Sequence, residues 1–458
     1  MAPILLLVVS SVVFLRNIDN FPLRNWDEAW YAEIIKNMAS GNSSLLVPFW
    51  NGQYYFDKPP LYFWLSLPFF KFFGPGEWQT RIISVIAAIL ATLLVYLIGK
   101  KLFNREAGVF ASLVFLTLGQ VVIRFNHGNL DALLVCFQLA TFYFYLLSQK
   151  KKTFSFLTGI ALGFGFLIKG WFLGLYPLLV IILYSLFTQK KLPRALPLIL
   201  EVAFLSSAWY YALGFLKLGQ PFYQWYLLNP GGGLLNSPFS SFSLHYFQDL
   251  LKDSGLWLIL LVPFVFEFKK VTKRQKLILA SLAVSIITLI FPLNFLSEKL
   301  GWYNLPAYPL VATIFGYILW RQFKFIPKIT FFLVGTILIF QIYNVIRIEN
   351  TYPDRSTIGA TLGKHSKNLV RPSDTVILDD HDFTSFLFYS DQKKVYTIEE
   401  KQKSELMEWW KIKRDNLETF IEAHPNTWII TKNPRSLNIK NQNGQIQDVY
   451  ETYSFIKF

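Results

Sequence analysis

The chain is poor in cysteine, in acid and in charge altogether. Cys136 is the single cysteine among 458 residues, which excludes a disulfide framework and any cysteine-based metal site within one chain. Charged residues make up only 16% of the sequence, and Asp and Glu number 29 against 44 Lys and Arg. So little charge beside 53% hydrophobic and 18% aromatic residues excludes an ordinary soluble domain. No Gly-Lys-Ser/Thr follows the glycine run Gly231–Gly233, so that run is no phosphate-cradling P-loop. No internal repeat supports an inverted-repeat transporter. The apolar N-terminal run lacks a basic leader and a small-residue cleavage site, and reads as a span and not a removable signal.

Long apolar runs are present instead. A spanning helix needs about 20 apolar residues. The candidates lie near 3–17, 81–98, 107–123, 130–147, 154–168, 171–187, 195–215, 249–267, 277–296, 303–320 and 327–346, about eleven in all. The net charge of +15 would suit nucleic acid, but its distribution argues for topology. Alternate loops carry seventeen basic residues, in groups around Lys100, Lys151, Lys190, Lys273 and Lys324; the other short loops carry four, Arg124, Lys169, Lys217 and Lys299. By the positive-inside rule the first set is cytoplasmic. The N-terminus is then inside, and segment 18–80 and the tail beyond about residue 348 lie outside.

Segment 18–80 is too long for a simple connector. "NWDEAWYAEIIKNM" reads as an amphipathic helix, with Asn25 and Glu28 as a capping box and Asp27 in the first turn. "SSLLVPFWNGQYYFDKPP" reads as a loop. "LYFWLSLPFFKFFG" is apolar but covers only about 20 Å against a hydrocarbon core of about 30 Å, so it belongs in the interface. Two interfacial helices beside a span can frame a lateral entrance for a lipid. The loop at 216–248 suits a flap over a cleft. Beyond 350 the sequence turns polar: "DTVILDD", "KKVYTIEE" and "TWIIT" read as strands and "KSELMEWWKIKRDNLETFIEA" as a helix. The expected fold is mainly α: a polytopic core over 1–349 and a small extracytoplasmic α/β domain over 350–458.

Residues that could carry chemistry cluster on the outer side. Asp57 and Lys58 precede a double proline at a helix start, where a lysine at headgroup level suits a lipid phosphate. Asp131 stands at the outer end of a span, where a carboxylate is costly unless it faces a polar cavity; His127 is one turn away. Glu298 and Lys299 precede the tenth span, and Lys299 with Lys58 could clamp a phosphate. Glu77 and Arg81 read as an i, i+4 pair. Asp379, Asp380, His381 and Asp382 look like a metal or nucleotide-sugar motif, but acids commonly end a strand.

In order, "WDEAWYAEI", "FDKPPLYFWL", "NLDALL" and "SEKLGWYNLPAYPLVA" resemble the GT-C membrane glycosyltransferases, in particular the bacterial protein O-mannosyltransferase and lipid A aminoarabinose transferase family. The resemblance implies transfer of a sugar from a polyprenyl-phosphate carrier to a lipid, glycan or protein acceptor on the outer face of the cell membrane, with inversion. It implies Asp27 as the catalytic or acceptor-orienting carboxylate, with Glu28 beside it in the substrate site. It implies Lys58 on the carrier phosphate, Lys299 and Tyr303 near the same group, and Asp131 on sugar or acceptor. Aminoarabinose transferases hold a divalent metal through a Glu and a later loop histidine. Here Asp57 replaces that Glu and His245 lies further along, which makes these two the candidate metal ligands. The other classes open to the sequence are a lipid or glycan flippase, which would need ionisable residues at mid-span, and a membrane-anchored binding protein acting through residues 350–458.

Overall fold

The computed structural model describes the chain except residues 1, 227–239, 298, 326, 329–330, 333, 341–342, 344–355, 381–382, 400–408, 438 and 440–443. The expected glycine flap, Glu298, His381 and Asp382 lie outside the described residues. The described chain is mainly helical. From the N-terminus it forms α1 (Ala2–Leu15), α2 (Asp27–Ala39), α3 (Leu61–Phe73), α4 (Glu77–Leu102), α5 (Arg105–Phe115), α6 (Gly119–Phe125), α7 (Leu130–Ser148), α8 (Phe154–Gly174), α9 (Tyr176–Gln189) and α10 (Leu196–Leu218). Helices over Lys273–Leu293 and Tyr308–Phe325 follow later.

Among the described residues five helices are long and apolar enough to cross a membrane: α4, α7, α8, α10 and Lys273–Leu293. Counting the α5–α6 pair, bent by 69°, as one span makes six. The protein is thus a multi-pass membrane protein. The eleven expected runs mostly hold helix, but several are short or broken. The 249–267 run divides at Gly255 (φ 50°) into Gly255–Leu260, a tight 3-10 stretch, and Leu261–Glu267. Pro263 sits in the first turn of the latter, where its missing N–H costs nothing.

Two compact units emerge, and their boundary differs from a single cut near residue 350. The first comprises residues 1–18, 56–66 and 81–352; the second comprises 19–55, 67–80 and 353–458. In the first unit, close helix packing depends on small residues, as expected where apolar surroundings provide no hydrophobic drive. A Cβ on Gly316 would lie 2.4 Å from the backbone N of Ala111, and one on Gly163 would lie 2.6 Å from the Ala203 carbonyl.

The second unit is built on a six-stranded sheet. Its strands are β3 (Thr375–Leu378), β4 (Val395–Glu399), β5 (Lys411–Lys413), β6 (Thr427–Thr431), β7 (Gln445–Tyr450) and β8 (Tyr453–Lys457), in the order β5-β4-β3-β6-β8-β7. β3, β4, β5 and β6 run parallel, and β8 and β7 close the sheet antiparallel. Every residue of β6 is buried, as parallel central strands require, whereas edge strand β7 is largely exposed. Ile377, Ile429, Leu417 and Ile421 share the core beneath it. Of the helix expected over 403–423, residues 403–408 lie outside the described residues; the expectation is corrected at Lys411–Lys413, which pairs with β4 as a strand, while Leu417–Ala423 is helical. The 49–54 stretch, read as loop, is a hairpin, β1 (Phe49–Trp50) with β2 (Gln53–Tyr54). Asn51 (φ 47°) and Gly52 (φ 84°) make its two-residue turn, the left-handed pair that such a turn demands.

Candidate functional site

In the first unit the site centres on Asp131, which is 4% exposed in the first turn of α7. Asn129 caps that helix, its Oδ1 accepting the Asp131 N–H at 2.9 Å while its Nδ2 donates to the Arg124 carbonyl at 2.6 Å. Arg124, in the last turn of α6, donates from Nη2 to Asp131 Oδ2 at 3.0 Å. Lys169 donates to the other carboxylate oxygen. A break in α8 delivers it: Lys169 (φ −128°, ψ 20°) and Gly170 (φ 78°) leave helical geometry inside the helix, towards its C-terminal end. Arg124 and Lys169 are not loop charges: Arg124 lies in α6 and Lys169 at the break in α8, and both are largely buried and paired to a carboxylate. A lone buried carboxylate would cost several kcal/mol, and here two cations pair with it.

Other motif segments of this unit converge here. The Tyr62 hydroxyl meets Ser84 Oγ at 3.4 Å, and Ser84 Oγ donates to the Asn129 carbonyl at 2.8 Å, tying "FDKPPLY" to "NLD". The Arg124 guanidinium lies over the Trp302 ring, 4.0 Å from its centroid, tying "GWYN" to the same cluster. Lys58 pairs with Asp57 Oδ2 at 2.7 Å, and Lys299 Nζ donates to the Leu296 carbonyl at 2.8 Å and approaches Ser240 Oγ at 3.4 Å. Tyr303 is half-buried beside Trp302.

The metal candidates Asp57 and His245 each have another partner. Asp57 is engaged by Lys58, His245 Nε2 lies 3.3 Å from Asp249, and among the described residues no three His, Cys, Asp or Glu side chains gather. Asp379 and Asp380 accept from Thr431, and from Tyr453 and Lys432 respectively, so both pin strand ends.

In the second unit Asp27 is the first residue of α2 and half-buried. The expected capping box is corrected. Trp26 occupies the cap position without a side-chain bond, and Glu28, 3% exposed, accepts the Arg24 N–H at 2.8 Å. Asn25 caps a different helix, Phe383–Ser390: its Oδ1 accepts the N–H groups of Thr384 at 3.1 Å and Ser385 at 3.3 Å. Glu77 accepts the Tyr389 hydroxyl at 2.6 Å, while Arg81 donates to the Ile18 carbonyl at 3.0 Å. Burial, then the bond to Glu77, holds the Tyr389 phenol protonated well above its usual range, so it donates to Glu77 while accepting the Leu23 N–H at 2.9 Å.

Arg124, Lys169 and Ser84 escape a search for outer-loop motifs. The signal for Lys169 was available: a lysine inside an apolar run is a functional candidate by default. Its partner could not be read, because 38 residues separate it from Asp131.

A family profile described as dolichyl-phosphate-mannose-protein mannosyltransferase matches residues 57–216. The undecaprenyl phosphate-alpha-4-amino-4-deoxy-L-arabinose arabinosyl transferase of Aeromonas hydrophila is 31% identical over 223 residues, 46% of this chain. That match spans only 40% of the relative's length. An uncharacterized protein of Aquifex aeolicus is 25% identical over 73% of this chain and 68% of its own. Among solved structures, ArnT from Cupriavidus metallidurans bound to undecaprenyl phosphate superposes with a TM-score of 0.80 at 16% identity, over 99% of this chain and 97% of that one. The Archaeoglobus fulgidus oligosaccharyltransferase matches at 0.56 and 13% identity, over 86% of this chain and 64% of that one. The chain therefore has the polytopic GT-C fold, and its first half resembles the glycosyltransferases of the lipid A aminoarabinose transferase type.

Proposed function

We propose that the protein transfers a sugar from a polyprenyl-phosphate carrier to an acceptor hydroxyl on the outer face of the membrane, with inversion. The observation that carries this reading is the buried Asp131–Arg124–Lys169 cluster, cationic by one formal charge, on which the motif segments of the membrane unit converge. Charged side chains gathered at one place suit an anion, and the carrier phosphate is the anion that a lipid-linked donor presents.

In a single displacement the acceptor oxygen attacks the anomeric carbon. The bond from that carbon to the carrier phosphate breaks, and the phosphate departs with the electron pair. Arg124, Lys169, Lys58 and Lys299 stabilise the charge developing on it. Asp27 takes the acceptor proton as general base. Asp131 fixes the orientation of its two cations, and Tyr303 borders the phosphate. The N-terminus is cytoplasmic, and residues 18–80 and 350–458 are outside.

Mass spectrometry of lipids that co-purify with the protein tests the donor class. A polyprenyl phosphate or its glycoside is expected, depleted in Lys169→Met. A bound lipid without phosphate, or carrier retained equally by both proteins, would overturn the reading.

A further inference from the structure

Trp26 has φ 66° and ψ −123°, a backbone region that a bulky side chain seldom enters and that persists only when its surroundings enforce it. It immediately precedes Asp27, and its carbonyl starts α2 by accepting the Trp30 N–H at 2.8 Å. The enforcing contacts come from residues 383–390, over 350 positions later. The Trp26 N–H donates to Thr384 Oγ1 at 2.6 Å, and that hydroxyl donates in turn to Asn25 Oδ1. Asn25 Oδ1 also accepts the first backbone N–H groups of the Phe383–Ser390 helix, and the Trp26 ring meets Phe383 edge-on at 5.3 Å. At the other end of α2, Lys36 Nζ donates to the Phe388 carbonyl at 2.9 Å and to Asp391 at 3.1 Å. The Phe383–Ser390 helix thus grips α2 at both ends, and at the N-terminal end it holds the strained residue that sets where Asp27 begins.

We infer that Asn25 and Thr384 are positioning residues for the transfer reaction: they lock the strained Trp26 turn and so fix the Asp27 carboxylate. This assigns the C-terminal sheet domain a catalytic duty, as the splint of the Asp27 helix. The inference rests on the proposed role of Asp27. A carboxylate acting as base must be held to within a fraction of an ångström, and a displacement of about 1 Å can cost about 100-fold in rate. In these bonds Asn25 supplies an acceptor oxygen, and Thr384 supplies a hydroxyl that accepts from Trp26 and donates to Asn25. Asn25→Asp and Thr384→Ser therefore preserve the lock, while Asn25→Ala and Thr384→Val remove it.

The test uses the full-length protein, with transfer from a polyprenyl-phosphate sugar measured at saturating donor and acceptor, donor affinity, and melting temperature. Asn25→Ala and Thr384→Val are expected to lose about 10- to 100-fold in turnover with donor affinity and melting temperature close to wild type. Asn25→Asp and Thr384→Ser are expected to restore turnover. Wild-type turnover in Asn25→Ala and Thr384→Val would overturn the inference. So would a loss that follows melting temperature or donor affinity, or that the conservative variants share. Asp27→Asn separates the two levels. If it is inactive while the lock variants turn over normally, only the lock fails; if it is active, the role of Asp27 fails.

Discussion

Asp131 and Lys169 form the same ion pair, yet removing one or the other should move phosphate binding in opposite directions. Lys169→Met leaves Asp131 paired with Arg124 at 3.0 Å and lowers the formal charge of the cluster from +1 to zero. On the proposed function, the carrier phosphate would then lose one charge-assisted contact, about 1.5–3 kcal/mol, or roughly 10- to 150-fold in affinity. Asp131→Asn keeps the shape, leaves both cations and raises the charge to +2. Its cost falls on the fold, since two buried cations lose their counter-ion; about 3–5 kcal/mol is the scale for breaking a buried pair. Affinity for polyprenyl phosphate, measured by titration in detergent or nanodiscs, should rank Asp131→Asn at or above wild type and Lys169→Met well below. Melting temperature should rank Asp131→Asn lowest. Equal phosphate affinity in wild type and Lys169→Met, or an equal loss in both variants, would refute the electrostatic account of this cluster.

Lys58→Met and Lys299→Met should each weaken polyprenyl-phosphate binding by a charge-assisted hydrogen bond, about 1.5–3 kcal/mol; wild-type affinity in both would dismiss the clamp. Glu33, buried in α2, has its carboxyl pushed up to about 7 by burial, against the nearby Lys36 ammonium at 3.4 Å, which also serves Phe388 and Asp391. A folded value raised above the unfolded one means stability that is full below about pH 4.5 and lost as pH rises towards 7. Glu33→Gln should therefore stabilise relative to wild type at pH 8 and lose that advantage at pH 4.5, in paired melting curves; a pH-independent difference would contradict it. Because Cys136 is buried, single cysteines report topology: Lys151→Cys and Lys273→Cys should resist an impermeant outside reagent, and Asn42→Cys and Lys432→Cys should react. The reverse pattern would place the proposed site in the cytoplasm.

Apolar runs and motif order carried much of this in the sequence. α4, α7, α8, α10 and Lys273–Leu293 stand out because an uninterrupted apolar stretch has few alternatives to a spanning helix. The parallel strands at 375–378, 395–399 and 427–431 were legible from their β-branched runs. What stayed hidden depended on distant partners. Asn25 followed by Glu28 satisfies the local rule for a capping box, but Thr384 and Ser385 compete for the Asn25 oxygen, and no window of sequence contains both ends. Lys411–Lys413 sits in a helical-looking stretch and becomes strand because β4 offers it a ladder. The Asn51-Gly52 turn carries a local hairpin signal, legible in the sequence inside its longer loop. The second unit also alters how truncation reads: deleting residues 350–458 would remove Thr384 and Tyr389, which hold Trp26 and Leu23. Loss of transfer in that truncation would not mark the C-terminal domain as the binding site.

The most direct test of the account is release of polyprenyl phosphate from a sugar-loaded carrier in the presence of acceptor, comparing wild type, Asp27→Asn and Glu28→Gln on equally folded preparations. The account predicts acceptor-dependent release by wild type, a fall of about 100- to 10,000-fold in Asp27→Asn with donor binding retained, and a mild effect in Glu28→Gln, which can still accept the Arg24 N–H. Normal release by Asp27→Asn, or no release by wild type from any polyprenyl-phosphate sugar, would contradict it.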